Sequence, residues 1–347
     1  MVTYLKELKT TKIWKNILLY LFSPIYSFIW KNIINFHGRI LYFYFLLKKK
    51  NDYSQYYLKD NDKKILRNID IFKKITVEIK EKIDDQFIKK LKLKINERSF
   101  PEDFYMHGQK SYKINMWDDV DDELREKIFN FALDEINISI VSNYLGVLPT
   151  ISRIYLTLNV PVEGAVERGP MLWHRDGFGY KSLDLFLPII SLTEDNGPFF
   201  YLNQKNKLGV LHRYSSEIKN ALKGERNKIG IETLENKKRD QVSYFSGKPG
   251  DAIFVDSFNC YHRGGYCKSS DRIMLRITYQ TPDAKTMKNT TSLKNFSTID
   301  NSILRNLGII NNHIVFKRSK ILSKLNLQEK LIKFYNLIHY KDTSLNK

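Results

Sequence analysis

The chain has 347 residues, of which 42% are hydrophobic, and it carries a formal net charge of +19. That composition can bury a large core, which excludes a disordered protein. Cys260 and Cys267 are the two cysteines, which is too few for a disulfide framework, and no second Cys or His pair accompanies them to make a zinc site. We therefore expect a cytoplasmic protein.

The positive charge lies mainly at the two ends of the chain. Residues 1–50 have nine basic residues and one acidic residue, and residues 301–347 have nine and two, whereas residues 101–200 carry a net −8. Such charge attracts nucleic acid or anionic lipid, although biased codon usage alone also enriches lysine. Because aromatic and aliphatic residues interleave with the N-terminal lysines, we favour a membrane surface and expect no specific nucleic-acid binding.

Residues 1–50 form a basic, aromatic-rich segment in which Lys12, Lys15, Asn16 and Ser23 gather on one side of a helical wheel. The longest uncharged run, residues 16–30, has 15 residues and is shorter than the roughly 20 that a spanning helix needs. We predict that this segment binds an inner membrane surface peripherally. The alternative is that its helices pack on the protein core or on a partner subunit.

The next segments lead into the predicted core. Residues 51–100 are lysine-rich and favour a helical linker, although residues 87–97 could alternate as a strand. Residues 117–137 predict one helix, whose acidic start suits the positive end of the helix dipole. Residues 153–160 alternate between apolar and polar side chains and predict a strand.

His174 and Asp176 lie in an apolar, strand-like stretch at residues 171–197. Residues i and i+2 of a strand point to the same face, so an imidazole and a carboxylate can converge there on one ion. His262, in a second strand-like block at residues 250–265, is the candidate third ligand. Two imidazoles and one carboxylate leave about half of an octahedral shell open, which suits non-haem Fe(II) and oxygen chemistry. An isolated H-x-D pattern is commonly a chance occurrence, so its surroundings decide.

Residues 211–241 separate these two blocks, and they are polar and basic. Such an insertion can form a substrate lid over the site or a solvated surface loop. His212 lies within it, and we do not assign it as a ligand. The tail at residues 286–347 favours a basic amphipathic helix that closes the molecule or lies on lipid.

The strand predicted at residues 269–280 alternates strictly. It places Arg272, Met274 and Arg276 on one face and Ile273, Leu275 and Ile277 on the other. An arginine on a core-facing strand is costly unless it meets an anion. A dicarboxylate co-substrate would supply that anion.

Together these motifs resemble the phytanoyl-CoA dioxygenase family of Fe(II)/2-oxoglutarate-dependent oxygenases. The shared features are W-H-x-D-G at 173–177, L-T-x-x-N-G-P at 192–198, G-D-A-I-F-V-D at 250–256, His262 and Arg272. The resemblance implies a mainly β double-stranded β-helix (jelly-roll, cupin-like) core at residues 101–285 with helical N- and C-terminal extensions. It also implies that His174, Asp176 and His262 bind the metal and that Arg272 holds the C5 carboxylate of 2-oxoglutarate, with Arg276 as the fallback.

The implied activity is hydroxylation of an unactivated C–H in a small-molecule or lipid/glycan-type substrate. Fe(II), 2-oxoglutarate and O2 take part, and succinate and CO2 are the co-products. Related halogenases replace the acid with a small residue, so Asp176 favours hydroxylation. Residues 201–209 depart from the P-G-S-H stretch that is common in the family. The alternatives are a non-catalytic jelly-roll binding protein and a cupin-like metal isomerase, which has no need of Arg272.

Overall fold

The structure is a computed structural model. It describes residues 32–48, 58, 63–96, 113–161, 171, 173–174, 176, 182–202, 241–257, 259–283 and 303–324. The lysine stripe predicted at residues 12–23, nearly all of the 211–241 insertion and the end of the tail lie outside these ranges.

Among the described residues, nine strands form two antiparallel sheets. The strands are β1 (Lys63–Leu66), β2 (Lys113–Asn115), β3 (Thr150–Asn159), β4 (Ser182–Pro188), β5 (Phe199–Leu202), β6 (Val242–Phe245), β7 (Ala252–Val255), β8 (His262–Gly264) and β9 (Arg272–Gln280). The large sheet has the order β1-β7-β4-β9-β3-β2, and the small sheet has the order β6-β5-β8. An isolated antiparallel bridge between His174 and His262 adds the chain around His174 to the free edge of β8.

Successive segments switch between the two sheets. The chain runs through β3 in the large sheet, His174 beside the small sheet, β4 in the large sheet and then β5 and β6 in the small sheet. It returns to the large sheet with β7, crosses to β8, and ends in β9 between β3 and β4. This winding is a double-stranded β-helix, which confirms the predicted jelly-roll fold.

Helices cover the outer face of the large sheet. They are α1 (Phe36–Lys48), α2 (Asp70–Lys82), α3 (Asp85–Asn96), α4 (Asp122–Ala132), α5 (Glu135–Leu145) and α6 (Ile303–Lys324). Phe72 of α2, Ile128 of α4 and Leu275 of β9 belong to one buried apolar cluster between helices and sheet. The opposite side of β9 faces the space between the sheets, where Met274 packs in a cluster with Phe186 and Phe199.

One local prediction is wrong, one noted alternative is excluded, and the strand predicted at residues 153–160 is confirmed as part of β3. The helix predicted at residues 117–137 is two helices, because Asp121 and Asp134 each cap a separate start. Their carboxylates accept hydrogen bonds from Leu124 N at 2.7 Å and Ile136 N at 2.8 Å. The strand-like pattern at residues 87–97 lies in α3, where buried Leu91 follows partly buried Phe87 by one helical turn.

Candidate metal centre

His174, Asp176 and His262 come together between the two sheets. His174 Nε2 lies 3.6 Å from Asp176 Oδ1, and His262 Nε2 lies 3.8 Å from Asp176 Oδ2. One ligand atom from each residue lies within 4.8 Å of the other two. Metal–ligand bonds of about 2.0–2.2 Å place neighbouring ligand atoms on the order of 3 Å apart, so small side-chain shifts would bring all three onto one ion.

The backbone fixes both imidazoles. His174 N donates to His262 O at 3.0 Å, and His262 N donates to His174 O at 2.9 Å, which holds the rings 4.4 Å apart between centroids. His262 Nδ1 lies 3.0 Å from the carbonyl oxygen of Cys260. A proton on Nδ1 would be donated to that carbonyl, leaving the Nε2 lone pair directed toward Asp176 as a metal ligand requires.

A partly buried arginine, Arg276, links Asp176 to a second carboxylate, Asp184 of β4. Arg276 Nε and Nη2 donate to the two oxygens of Asp184 at 3.1 and 2.9 Å, and Nη2 also donates to Asp176 Oδ2. Asp184 is 0% exposed and accepts further hydrogen bonds from the hydroxyls of Ser257 and Thr278. The register explains this geometry. Asp184 lies directly opposite Thr278 of β9, and Arg276 is the diagonal neighbour, two residues along the same strand.

This network controls the charge of the metal-side carboxylate. Burial alone would raise the pKa of Asp176, but the Arg276 guanidinium and the two imidazoles hold that pKa well below its usual range. Burial likewise opposes the charge of Arg276, and the carboxylates of Asp184 and Asp176 outweigh burial and raise the pKa of this guanidinium. Asp176 therefore stays ionised, as a metal ligand must.

Arg272 lies on the same face of β9, four residues before Arg276, and its environment differs. Its Nη1 donates to the backbone carbonyl oxygens of Asn196 at 3.3 Å, of Gly265 at 2.9 Å and of Gly197. These carbonyls can converge because the backbones of Gly197 and Gly265 pack directly against each other. Gly197 has φ of +78°, and a Cβ there would lie 2.4 Å from the carbonyl carbon of Gly265. The N-G-P motif thus forms a cradle of carbonyls that anchors one nitrogen of the Arg272 guanidinium.

Both arginines line a pocket that opens on the histidines. Its walls comprise Lys113, Tyr155, Thr157, Asn159, Met171, His174, Phe186, Phe199, His262, Gly264, Arg272, Met274 and Arg276. The Phe199 ring lies 5.5 Å from the His262 ring and 4.5 Å from the Phe186 ring, between centroids. The pocket is therefore lined both by cations and by aromatic rings, and the Phe199 ring lies next to His262.

Sequence reasoning missed Lys113, a third cation in this pocket. Lys113 lies on β2 opposite Asn159 of β3, and its Nζ is 6.0 Å from the centroid of the Tyr155 ring. Burial, with Arg276 and Arg272 nearby, lowers the pKa of Lys113 to about 8, although Asp176 acts in the opposite direction. No carboxylate among the described residues forms an ion pair with it. No motif surrounds it in the sequence, so nothing at residues 110–116 could have marked it.

Sequence reasoning also missed Asp184, although the sequence does hold a signal for it. Asp184 is the single charged residue of S-L-D-L-F-L-P, which forms strand β4, buried along its whole length. A carboxylate in such a strand needs a buried cation. That requirement points to an arginine on a neighbouring strand.

Fold and cluster together define the class as a double-stranded β-helix protein with a His-x-Asp…His centre. No protein-family model matches the sequence, and no curated protein matches it. The resemblance to phytanoyl-CoA dioxygenases therefore stays a prediction.

Solved structures similar to this chain include the following three. The epimerase SnoN, in complex with Fe3+, alpha-ketoglutarate and nogalamycin RO, is 12% identical with a TM-score of 0.40, over 65% of this chain and 80% of SnoN. EctD from S. alaskensis, with 2-oxoglutarate and 5-hydroxyectoine, is 14% identical with a TM-score of 0.43, over 68% and 78%. The alpha-ketoglutarate-dependent carbocyclase SnoK is 12% identical with a TM-score of 0.42, over 68% and 86%. The strand order of the two sheets, and not these likenesses, defines the fold.

Proposed function

We propose that this protein is an Fe(II)- and 2-oxoglutarate-dependent oxygenase. The observation that carries the proposal is the convergence of His174, Asp176 and His262 at a pocket that is also lined by the cations Lys113, Arg272 and Arg276. Two imidazoles and one carboxylate are the donor set of non-haem iron oxygenases, and they leave coordination positions for 2-oxoglutarate and O2. Iron bound there with these co-substrates would supply the oxidising power for C–H hydroxylation, with succinate and CO2 as co-products.

The residues of the chain have separate tasks in this proposal. His262, through its Nδ1 contact with the Cys260 carbonyl, presents Nε2 to the metal. Arg276 occupies Oδ2 of Asp176 and leaves Oδ1, on the side of His174, to face the ion. The buried Asp184 carboxylate holds Arg276 in place by a bidentate pair. Arg276 is therefore a positioning residue for Asp176.

Arg272 is the better partner for the far carboxylate of 2-oxoglutarate. Arg276 already satisfies two carboxylates, whereas the hydrogen bonds of Arg272 given above go to uncharged carbonyls. A dicarboxylate next to Arg272 would also come under the influence of Lys113, whose positive charge lacks a carboxylate partner among the described residues. Both cations attract the negatively charged far carboxylate, and they disfavour a neutral ligand in that position.

The chemistry of the remaining wall bears on the substrate. Met171, Phe186 and Phe199 present apolar surface beside the histidines. Such surface excludes water from the reacting centre and accepts a partly apolar small molecule or the apolar part of a lipid or glycan-type substrate. Hydroxylation is proposed in preference to halogenation because Asp176 retains the acid that a halide would have to replace.

Two alternatives make different use of the site. A cupin-like metal isomerase would bind metal at the same three residues but would gain nothing from Arg272. A non-catalytic jelly-roll binding protein would need neither the metal nor the depressed pKa of Asp176. The buried pair of Asp184 and Arg276 behind Asp176 favours a site that holds a metal ligand in one orientation.

The test of the metal assignment is metal analysis of protein purified without oxygen and reloaded with Fe(II). His174→Ala, Asp176→Ala and His262→Ala should each lose stoichiometric iron, because each removes one of three protein bonds to the metal. His313→Ala is the matched control, since His313 is exposed on α6, and it should retain iron. Stoichiometric iron in Asp176→Ala would refute the assignment.

A further inference from the structure

Helix α1 exposes an apolar stripe along its whole length. Phe36, Ile40, Phe43 and Leu47 follow one another at spacings of four, three and four residues, and these side chains are 63%, 50%, 61% and 69% exposed. That spacing places them on one face of the helix. Of the thirteen large hydrophobic side chains that are exposed in the described part of the chain, seven lie between residues 33 and 47.

The other face of α1 is built into the protein. Phe45 is buried, and Tyr42 Oη donates to Asn143 Oδ1 at 2.8 Å. Gly38 fits so closely that a Cβ there would lie 2.6 Å from a methyl carbon of Val147. Packing on the core, which the sequence left open as an alternative, thus accounts for one face of the helix and leaves the apolar stripe uncovered by any described residue.

The charged residues described around this stripe have one sign. Arg39 and Lys48 lie on α1, Lys317 is exposed on α6, which packs beside α1, and neither helix contains an acidic residue. Helix α6 adds exposed Ile310 and Ile314. A protein partner for this face would need an apolar centre surrounded by acidic residues. An anionic lipid surface offers both an apolar interior and negatively charged headgroups.

We propose that the apolar stripe of α1 docks this protein on an anionic lipid surface, with the basic residues around it lying at the headgroups. Each basic residue near such a surface contributes on the order of 1 kcal/mol, and the buried rings add the apolar part of the affinity. No described helix is long and apolar enough to cross a bilayer. The proposed docking uses none of the residues of the metal centre.

Vesicle sedimentation with the full-length chain tests the proposal. The protein should sediment with phosphatidylcholine vesicles that contain phosphatidylglycerol, bind pure phosphatidylcholine vesicles less, and dissociate as salt is raised. The double variant Phe43→Ser/Leu47→Ser should lose at least about tenfold in partitioning, because it removes two members of the stripe that are 61% and 69% exposed. Its iron content and unfolding midpoint should match those of the unmodified protein.

The double variant Val77→Ser/Leu93→Ser is the matched control. It also removes two exposed apolar side chains, 52% and 54% exposed, from helices α2 and α3. This control should partition like the unmodified protein. Equal partitioning of the two double variants, or no sedimentation of the unmodified protein, overturns the proposal. A dimer in light scattering that dissociates with Phe43→Ser/Leu47→Ser overturns it as well, because a second copy would then cover the stripe.

Discussion

Arg272 and Arg276 lie four residues apart on one face of β9, and the structure predicts opposite consequences for their loss. Arg276→Met leaves the carboxylate of Asp184, which is 0% exposed, without a cation, and it removes the partner of Asp176 Oδ2. Removing one partner of a buried ion pair costs about 3–5 kcal/mol of unfolding free energy. The Ser257 and Thr278 hydroxyls still donate to Asp184, which favours the lower part of that range.

Arg272→Met should instead act mainly on binding. In the proposed complex the variant would lose a charge-assisted pair with the far carboxylate of 2-oxoglutarate, worth about 1.5–3 kcal/mol, which is roughly ten- to a hundredfold in affinity. Its stability loss should be smaller than that of Arg276→Met, because it leaves partly buried carbonyls unpaired and not a buried charge.

Two measurements separate the arginines. Urea unfolding of the metal-free proteins gives the free energy of unfolding. Anaerobic calorimetric titration of the Fe(II)-loaded proteins with 2-oxoglutarate gives the dissociation constant. Adding Asp184→Asn to Arg276→Met should recover part of the lost stability, because the unpaired buried charge is removed. The reasoning fails if Arg276→Met is as stable as the unmodified protein and loses 2-oxoglutarate binding while Arg272→Met retains it.

Two other predictions concern the surroundings of Arg272. Gly197→Ala should destabilise the fold and weaken 2-oxoglutarate binding, because a Cβ at φ +78° would collide with Gly265 and open the carbonyl cradle. The control is Gly146→Ala, where φ is +70° but a Cβ would have no atom within 4 Å. This control should lose stability and keep its 2-oxoglutarate affinity. Lys113 should make 2-oxoglutarate affinity depend on pH. Its pKa of about 8 means that the ammonium is present below pH 8 and is lost above it, so affinity should fall as pH rises through that value. Lys113→Arg should flatten this profile by keeping the charge, and Lys113→Met should weaken binding at neutral pH and also flatten it; an unchanged profile in Lys113→Met would show that the lysine does not face the ligand.

The short-range sequence pattern was sufficient for β3 and β9 and for placing His174 close to Asp176. Strict alternation in β9 determines that Arg272 and Arg276 share a face, and the i, i+2 spacing of His174 and Asp176 determines that both can reach one ion. Neither the alternation in β9 nor the i, i+2 spacing predicts the bridge between His174 and His262. These two residues are 88 positions apart, and they meet only through the winding of the two sheets. The ordered set of motifs predicted that meeting by resemblance.

The residues that the sequence did not yield are those defined by tertiary neighbours. Nothing in the sequence around Lys113 distinguishes it from other lysines, and only the pairing of β2 with β3 brings it to the pocket. The two different roles of Arg272 and Arg276 depend on what faces them, a carbonyl cradle in one case and Asp184 in the other. The two-helix structure of α4 and α5 likewise depends on Asp134, whose capping contact interrupts a continuous helical pattern.

The most direct test of the account is oxygen-dependent conversion of 2-oxoglutarate to succinate by the Fe(II)-loaded protein. Many oxygenases of the proposed type turn over slowly without their main substrate, so succinate should form slowly with the protein alone and faster when a metabolite extract supplies that substrate. Asp176→Ala and Arg272→Met should abolish or strongly reduce this conversion, and His313→Ala should not. Stoichiometric binding of iron without any succinate, with or without extract, would contradict the proposed oxygenase and leave the metal isomerase as the better description of the site.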